Sequence, residues 1–211
     1  MAVAQQGVSW QAKITTSEDG QESERSFLVK AKDNDAYVEA LSPARNKGEI
    51  FLFNDRNMWF FKPSLRKPVA ISSRQKLSGQ AANGDIANTN YTRDYTPSIE
   101  GSEKINGEET KVLLLKAKSN QVTYDQIKYW VALKSKLALK AEFMTLQGKA
   151  FKVASFEYKN TISASEKSIP FVSKMTIIDA KYANNKSVIE YSKPKAEALP
   201  SAIFNVNNLT R

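Results

Sequence analysis

The chain has 211 residues, of which 41% are hydrophobic and 25% are charged, and it carries a formal net charge of +9 with no histidine and no cysteine. This length allows one domain with a substantial core. The two absent residue types exclude a Ser-His-Asp triad, a Cys-His dyad, disulfides and zinc sites built from the usual ligands. Chemistry on carboxylates, lysine or tyrosine, and Mg²⁺ or Ca²⁺ on oxygen ligands, stays open. Non-catalytic binding is the leading hypothesis.

No stretch reaches the roughly 20 consecutive apolar residues that a bilayer span needs. The start, MAVAQQGVSW, lacks the charged and apolar regions of a signal peptide. We therefore expect a soluble chain. The small and polar residues after the first Met favour the hypothesis that a native targeting segment has been removed.

Alternation of apolar and polar residues, with many β-branched and aromatic side chains, predicts β-strands along most of the chain. Short turn signals rich in Gly, Asn, Asp and Pro separate about a dozen such segments, which indicates an antiparallel meander. The predicted strands cover residues 8–16, 25–32, 36–41, 49–54, 57–62, 69–73, 111–118, 126–133, 139–146, 150–159, 171–181 and 187–191.

The alternation also assigns faces. Ile127, Tyr129 and Val131 share one side of their strand, whereas Lys128 lies on the other and Trp130 interrupts the polar face. One buried and one wet face are typical of an antiparallel sheet that curls round a single interior.

Two segments lack alternation. Residues 79–94 are polar and rich in Ala and Asn, which predicts a loop with one short helix that Asp85 caps before Ile86. Residues 193–201 contain Pro194 and Pro200 and predict an extended or briefly helical connector. Without a repeat or a Gly/Ser linker, one domain over residues 1–211 is expected.

The positive charge is concentrated in the second half. Up to residue 105 there are 14 basic and 13 acidic residues, which leaves 17 basic against 9 acidic after it. The ordinary interpretation is a solvated outer sheet face, and the alternative is a surface for anionic lipid headgroups or an acidic partner. A second basic stretch, 56–84, contains Met58-Trp59-Phe60-Phe61 and no acid. It could clamp single-stranded nucleic acid, but ordinary strand packing explains it better and no nucleic-acid partner is expected.

The motifs of catalysis and metal binding are weak. Asp33-Asn34-Asp35 resembles the start of a Ca²⁺ loop, but Tyr37 stands where an oxygen ligand belongs, so a hairpin turn is the better interpretation. The pairs Glu108-Glu109 and Glu22 with Glu24 leave a carboxylate-dependent hydrolase open as a minor hypothesis. Phosphate-binding and nucleophile-elbow motifs do not occur in the sequence. No metal, no cofactor and no catalytic residue are expected.

An ordered series of segments carries a family resemblance. It comprises Ser42-Pro43-Ala44-Arg45-Asn46-Lys47-Gly48, Asn57-Met58-Trp59-Phe60-Phe61-Lys62-Pro63, Val69-Ala70-Ile71-Ser72, Gly84-Asp85-Ile86 through Tyr91-Thr92-Arg93-Asp94, Ile105-Asn106-Gly107, Tyr129-Trp130-Val131, Lys140-Ala141-Glu142-Phe143 and Phe204 to Arg211. This order, over nearly the whole chain, resembles the bacterial outer-membrane lipoprotein-sorting family, the relatives of the carrier LolA. The sequence departs from the family's Gly-Ser-Asp-Phe pattern at Asn83-Gly84-Asp85-Ile86, and the helix usual before the first strand is absent or cut short.

The resemblance implies a strongly curved, incomplete antiparallel β-barrel, mainly β, with short helices as a lid over an apolar cavity. It implies a periplasmic carrier or chaperone that binds a lipid or the acyl chains of a lipoprotein for transport toward the outer membrane. The partners expected are an inner-membrane transporter or an outer-membrane acceptor.

On this basis the candidate site residues fall into three groups. The expected cavity lining is Phe27, Val29, Phe51, Phe53, Trp59, Phe61, Ile127, Tyr129, Val131, Phe143, Met175 and Ile177. The expected lid contacts are Arg25, Ile86 and Tyr91. The expected partner-facing or membrane-facing basic residues are Lys62, Arg66, Lys67, Lys128, Lys134 and Lys140.

For each lining residue taken singly, simple core packing is the competing interpretation. The alternative function is a non-catalytic ligand-sensing or scaffold module that docks to a membrane transporter or signalling protein through its basic face.

Overall fold

The computed structural model describes residues 7–87, 90–164 and 167–210. In this part of the chain one antiparallel sheet of thirteen strands dominates. Its order is β6 (Val69–Ile71), β5 (Asn57–Phe61), β4 (Ile50–Asn54), β3 (Asp35–Ser42), β2 (Gln21–Lys32), β1 (Val8–Glu18), β17 (Lys186–Ala196), β16 (Lys174–Asp179), β13 (Ala150–Glu157), β12 (Ala138–Met144), β11 (Gln126–Ala132), β10 (Glu108–Ala117) and β9 (Tyr95–Ile105). The sheet does not close into a barrel, since its end strands β6 and β9 are not neighbours. Nearly every neighbouring pair is a hairpin, and the β17–β1 pairing joins the two ends of the chain.

Most strands of this sheet alternate apolar and polar residues as the sequence predicts, whereas the edge strand β9 is exposed along most of its length. The other described strands form two separate hairpins, β7 (Lys76–Ser78) with β8 (Ala81–Ala82) and β14 (Asn160–Ala164) with β15 (Lys167–Phe171).

The helical part is small. One four-residue helix, α1 (Tyr91–Asp94), and short 3₁₀ turns at Ala44–Asn46, Asn83–Asp85, Ser201–Phe204 and Val206–Asn208 complete the described elements. Among the described helices, none has the length and apolar character that a membrane crossing needs.

The sheet's two faces are covered by different segments. On the concave face, Ile14, Phe27, Val38 and Ile189 are fully buried. The β7–β8 hairpin and the β14–β15 hairpin both lie on this face, and each pairs only with itself. On the outer face of β2 to β5, the C-terminal 3₁₀ turns cover Leu52 and bury Phe204.

The irregular segment 79–94 differs in detail from the prediction. Asp85 ends a 3₁₀ turn instead of capping a helix from Ile86. Its carboxylate accepts a 2.7 Å hydrogen bond from the main-chain N–H of Ala82. The helix begins after Asn90, whose side chain accepts from the main-chain N–H of Arg93 at 3.0 Å. The predicted connector 193–201 is extended up to Ala196, within β17.

Candidate functional site

A cavity of about 270 Å³ lies between the concave face, the end of the β14–β15 hairpin and the irregular segments 85–87, 90–95 and 121–124. The sheet contributes one apolar residue from each of five strands, because alternate positions of neighbouring strands point to the same side. These residues are Ile127 of β11, Phe143 of β12, Phe156 of β13, Met175 of β16 and Tyr191 of β17. The covering segments contribute Tyr91, Tyr124, Pro170 and Phe171. The same lining includes polar side chains, among them Asp85, Asn90, Arg93, Asp94 and Gln121. The cavity therefore combines an aromatic and aliphatic part with a polar part.

A second, more open groove of about 380 Å³ continues from this cavity toward the free edge strand β9. Leu113, Leu115, Tyr129 and Val131 line it. Tyr91 and Tyr95 line both spaces, and their rings lie 5.9 Å apart. The two tyrosines thus stand between the enclosed cavity and the open groove.

Two carboxyl groups line the cavity, those of Asp85 and Asp94, and Asp85 contacts the aromatic wall. The Tyr124 hydroxyl donates to Asp85 at 2.8 Å and 3.0 Å from its two oxygens. Burial raises the pKa of Asp85, against the opposing effect of the Lys152 charge. Burial also raises the pKa of Tyr124 and of Tyr91 well above the ordinary value. These buried tyrosine hydroxyls stay protonated, which is compatible with apolar matter in this part of the cavity.

The cavity mouth is polar. Arg93 forms a bidentate pair with Asp94, at 2.7 Å and 2.8 Å, and a 2.7 Å pair with Asp55 of the β4–β5 turn. Arg56 lies 3.7 Å from the same Asp94 carboxylate. This network ties α1 to the turn and places charge at the entrance, away from the aromatic interior.

The predicted cavity residues divide between four places. Ile127, Phe143 and Met175 line the cavity, and Tyr129 and Val131 line the groove. Phe27, Val29, Phe51, Phe53 and Ile177 belong to the close-packed core of the same sheet face. Each of these five is at most 6% exposed.

The prediction that Trp59 and Phe61 line the cavity is wrong, because both side chains lie on the opposite face of the sheet. In the β4–β5 pair, Phe51 faces Phe60 and Phe53 faces Met58 on the concave side, whereas Leu52 faces Trp59. Trp59 lies in a surface hollow beside Phe204. Both faces of β5 are apolar because the C-terminal segment covers the outer one.

The three predicted lid residues lie at or near the covering segments. Arg25 donates to the main-chain oxygen of Leu77 in β7 at 3.1 Å and pairs with Glu49 at 2.9 Å. Ile86 is buried within the core cluster. Tyr91 lines both spaces, as described above.

The predicted basic residues do not form one surface. Arg66 and Lys67 are exposed in the β5–β6 connection, next to the half-buried Lys62, and Lys134 is exposed in the β11–β12 turn. Lys128 and Lys140 lie over the Trp130 ring, at 5.2 Å and 4.2 Å from its centroid. Lys140 also pairs with Glu142 at 2.7 Å, so these two lysines support the outer packing of Trp130.

Sequence reasoning missed several cavity residues. Phe156 and Tyr191 continue the alternation of their strands, and that signal could have found them. Tyr95 and Tyr124 carry no such signal, since one begins an exposed edge strand and the other lies in the β10–β11 connection. The interpretation of Asp33-Asn34-Asp35 as a hairpin turn is confirmed, because Asp33 and Asn34 join β2 to β3, which begins at Asp35.

Comparisons with known proteins place the chain among similar structures. A family model described only as an uncharacterized protein matches residues 32–211. A LolA superfamily protein from Nitrosomonas europaea is 32% identical, with a TM-score of 0.84, over 97% of this chain and 92% of that one. No curated protein matches the chain.

Two further structures share the fold at lower identity. A DUF1329 family protein from Desulfovibrio piger is 21% identical, with a TM-score of 0.81, over 97% of this chain and 92% of that one. A domain named for outer membrane lipoprotein sorting, from Vibrio parahaemolyticus, is 19% identical, with a TM-score of 0.82, over 98% and 92%.

Proposed function

The chain belongs to the LolA superfamily, and from this premise we propose that it is a periplasmic carrier that holds the acyl chain of a lipid or lipoprotein in its concave cavity. The observation that supports the proposal most directly is the cavity that Ile127, Phe143, Phe156, Met175 and Tyr191 form under the end of the β14–β15 hairpin and the irregular segments 85–87, 90–95 and 121–124. The β14–β15 hairpin pairs only with itself, so it can move without breaking the main sheet.

The energetics favour an acyl ligand. Removing one methylene from water contributes about 0.8 kcal/mol. A segment of about ten methylenes would then contribute about 8 kcal/mol before the costs of association. No hydrogen bond to the ligand is needed, which suits a wall of buried tyrosines and aliphatic side chains.

The polar groups of the wall support binding rather than catalysis. The Asp85 carboxyl already accepts from Tyr124 and from the Ala82 main chain, and burial raises its pKa. Asp94 is held by Arg93 at the mouth. The two carboxyls therefore have structural partners, and we propose that the protein works without a catalytic residue or cofactor.

The wider context is part of the same proposal. Residues 1–211 act as one lipid-binding domain in the periplasm, and an inner-membrane transporter or an outer-membrane acceptor delivers or receives the ligand. The family relationship supports this setting.

Native mass spectrometry of the delipidated full chain tests the proposal. After incubation with palmitate or a synthetic lipopeptide, we expect one ligand per chain. The same chain incubated with a short, water-soluble acid such as butyrate should stay unloaded. Absence of uptake for both long-chain ligands would overturn the carrier proposal.

A further inference from the structure

One rim of the sheet carries large apolar side chains that point into water. Leu146 in the β12–β13 turn is 70% exposed, Tyr182 in the β16–β17 turn is 55% exposed and Phe151 at the start of β13 is 38% exposed. The turns are neighbours, since the main-chain N–H of Ala180 donates to the Phe151 oxygen at 3.0 Å. Together these three side chains form what we call the rim patch.

Lysines flank the rim patch. Residues 145–151 carry Lys149, and residues 180–186, which follow Asp179, carry Lys181 and Lys186. The Lys152 side chain donates to the main-chain oxygen of Gln80. Lys181 Nζ lies 4.9 Å from the centroid of the Tyr182 ring.

Three acids lie at the same end of the sheet. Asp179 accepts from the main-chain N–H groups of Lys181 and Tyr182. Asp19 accepts from Asn185 at 3.2 Å, and Glu18 pairs with Lys76. Asp179 and Asp19 keep their negative charge in these contacts, so Lys149, Lys181 and Lys186 give the rim a small excess of positive charge around its apolar side chains.

We propose that the rim patch docks on the surface of an anionic lipid bilayer. The side chains of Phe151, Leu146 and Tyr182 suit the interfacial layer of a membrane. Attraction between each nearby lysine and the anionic headgroups stabilises the docked state. Charge complementarity therefore selects a bilayer that contains anionic phospholipid over a neutral one. The docking itself does not depend on the proposed carrier function.

The rim patch also adjoins the cavity wall. The Phe151 ring lies 6.1 Å from the Tyr124 ring, and Tyr124 stacks on Phe143 at 3.9 Å. Both Tyr124 and Phe143 line the cavity. A membrane at this rim would lie one aromatic layer from the proposed acyl site, so docking places the cavity beside a source or acceptor of lipid.

The absence of cysteine from the sequence permits a site-specific test on the full chain. Leu146→Cys and Ile99→Cys, each carrying an environment-sensitive fluorophore, form a matched pair, because both side chains are 70% exposed. Ile99 lies on the edge strand β9, away from the rim. With phosphatidylglycerol vesicles we expect a blue shift of the label at position 146 and none at position 99. No shift at either position, or equal shifts at both, would overturn the proposal.

Cosedimentation with the same vesicles tests the charges. The double variant Lys149→Glu and Lys181→Glu should reduce the partition coefficient by about tenfold or more, because about a fivefold change is expected for each lysine near the surface. Lys134→Glu and Lys136→Glu, in the β11–β12 turn at the opposite end of the sheet, are the control pair. Equal losses for both pairs would contradict a specific rim.

Palmitate uptake by the Lys149→Glu and Lys181→Glu variant, measured without vesicles, separates this proposal from the carrier function. We expect uptake to be unchanged because neither lysine lines the cavity. Uptake without vesicle binding by the unmodified protein would overturn docking alone, and vesicle binding without uptake would overturn the carrier function alone.

Discussion

Lys152 on β13 donates a 2.6 Å hydrogen bond from Nζ to the main-chain oxygen of Gln80 at the tip of the β7–β8 hairpin. This contact joins the main sheet to a cover of its concave face that shares no strand pairing with it. Burial lowers the pKa of Lys152, while the charges of Asp85 and Asp179 oppose the shift. A partly buried cation therefore holds the cover at the point where it crosses the sheet.

Lys152→Met should loosen this cover. The substitution keeps most of the side-chain volume but leaves the Gln80 oxygen without its donor, which costs about 1–3 kcal/mol for a buried acceptor. Hydrogen exchange should accelerate in residues 76–85 more than in β1 or β17. Lys149→Met, in the exposed β12–β13 turn, is the matched control and should change neither exchange nor the midpoint of unfolding. Unchanged exchange in Lys152→Met would show that the contact does not hold the cover.

Asp85 should give the folded protein a stability contribution that is greatest in acid. Its pKa is raised above the ordinary value of 3.8, so in the folded state the carboxyl holds a proton that the unfolded chain has released. The contribution is fully present below pH 3.8 and decreases as the pH rises through the raised pKa of the folded state. In urea unfolding, the stability of the unmodified protein relative to Asp85→Asn should therefore fall as the pH rises from acid to neutral.

Asp179 provides a control of opposite sign. Hydrogen bonds from the main-chain N–H groups of Tyr182 and Lys181 lower the pKa of its exposed carboxyl. Its contribution is present above the ordinary value of 3.8 and is lost as the pH falls through the lowered pKa. The stability of the unmodified protein relative to Asp179→Asn should thus rise with pH. The same direction for both variants would contradict the assignment of the Asp85 environment.

Filling the cavity should abolish acyl uptake in a folded protein. Met175 lines the cavity and is 6% exposed, so Met175→Trp places an indole where the ligand is proposed to lie. Overpacking of this kind costs about 1–3 kcal/mol, which leaves a domain of ordinary stability folded. We expect loss of palmitate binding in native mass spectrometry with a retained near-ultraviolet circular dichroism spectrum.

Two further variants are the controls for the Met175→Trp experiment. Met175→Leu conserves volume and should still bind, and Ile99→Trp adds an indole to an exposed edge position that is remote from the cavity. Normal uptake by a folded Met175→Trp protein would show that the acyl chain lies elsewhere.

The alternation of the sequence predicted most strands of the sheet because each central strand has one buried and one wetter face. The alternation could not show which face of β5 points into the concave side, because both faces of this strand are apolar. Trp59 and Phe61 lie on the outer face, which residues 201–208 cover, and these residues are far away in the sequence. An alternating pattern assigns residues to two faces of a strand, but only the fold shows which segment of the chain covers each face.

Strands at the margin of the fold escaped prediction for a different reason. Edge strand β9 has mostly exposed residues, so it carries no alternation. In the β14–β15 hairpin, Ile162 is the one buried side chain among those that the structure describes. The cavity depends on such segments, through Tyr95 and Phe171, and local patterns carry little information about contacts made by single side chains.

The C-terminal segment should stabilise the fold without taking part in ligand binding. Phe204 is 3% exposed and lies over the outer face of the sheet, where Asn54 donates to its main-chain oxygen at 3.4 Å. Phe204→Ala should lower the free energy of unfolding by about 3–5 kcal/mol, because it leaves a cavity above β4 and β5. Phe204→Leu should cost less, since it retains most of the buried volume. The cavity lies on the opposite face, so we expect the folded fraction of either variant to bind palmitate with unchanged affinity. Reduced affinity in Phe204→Leu under conditions where it is fully folded would show that the outer cover and the cavity are coupled through the sheet.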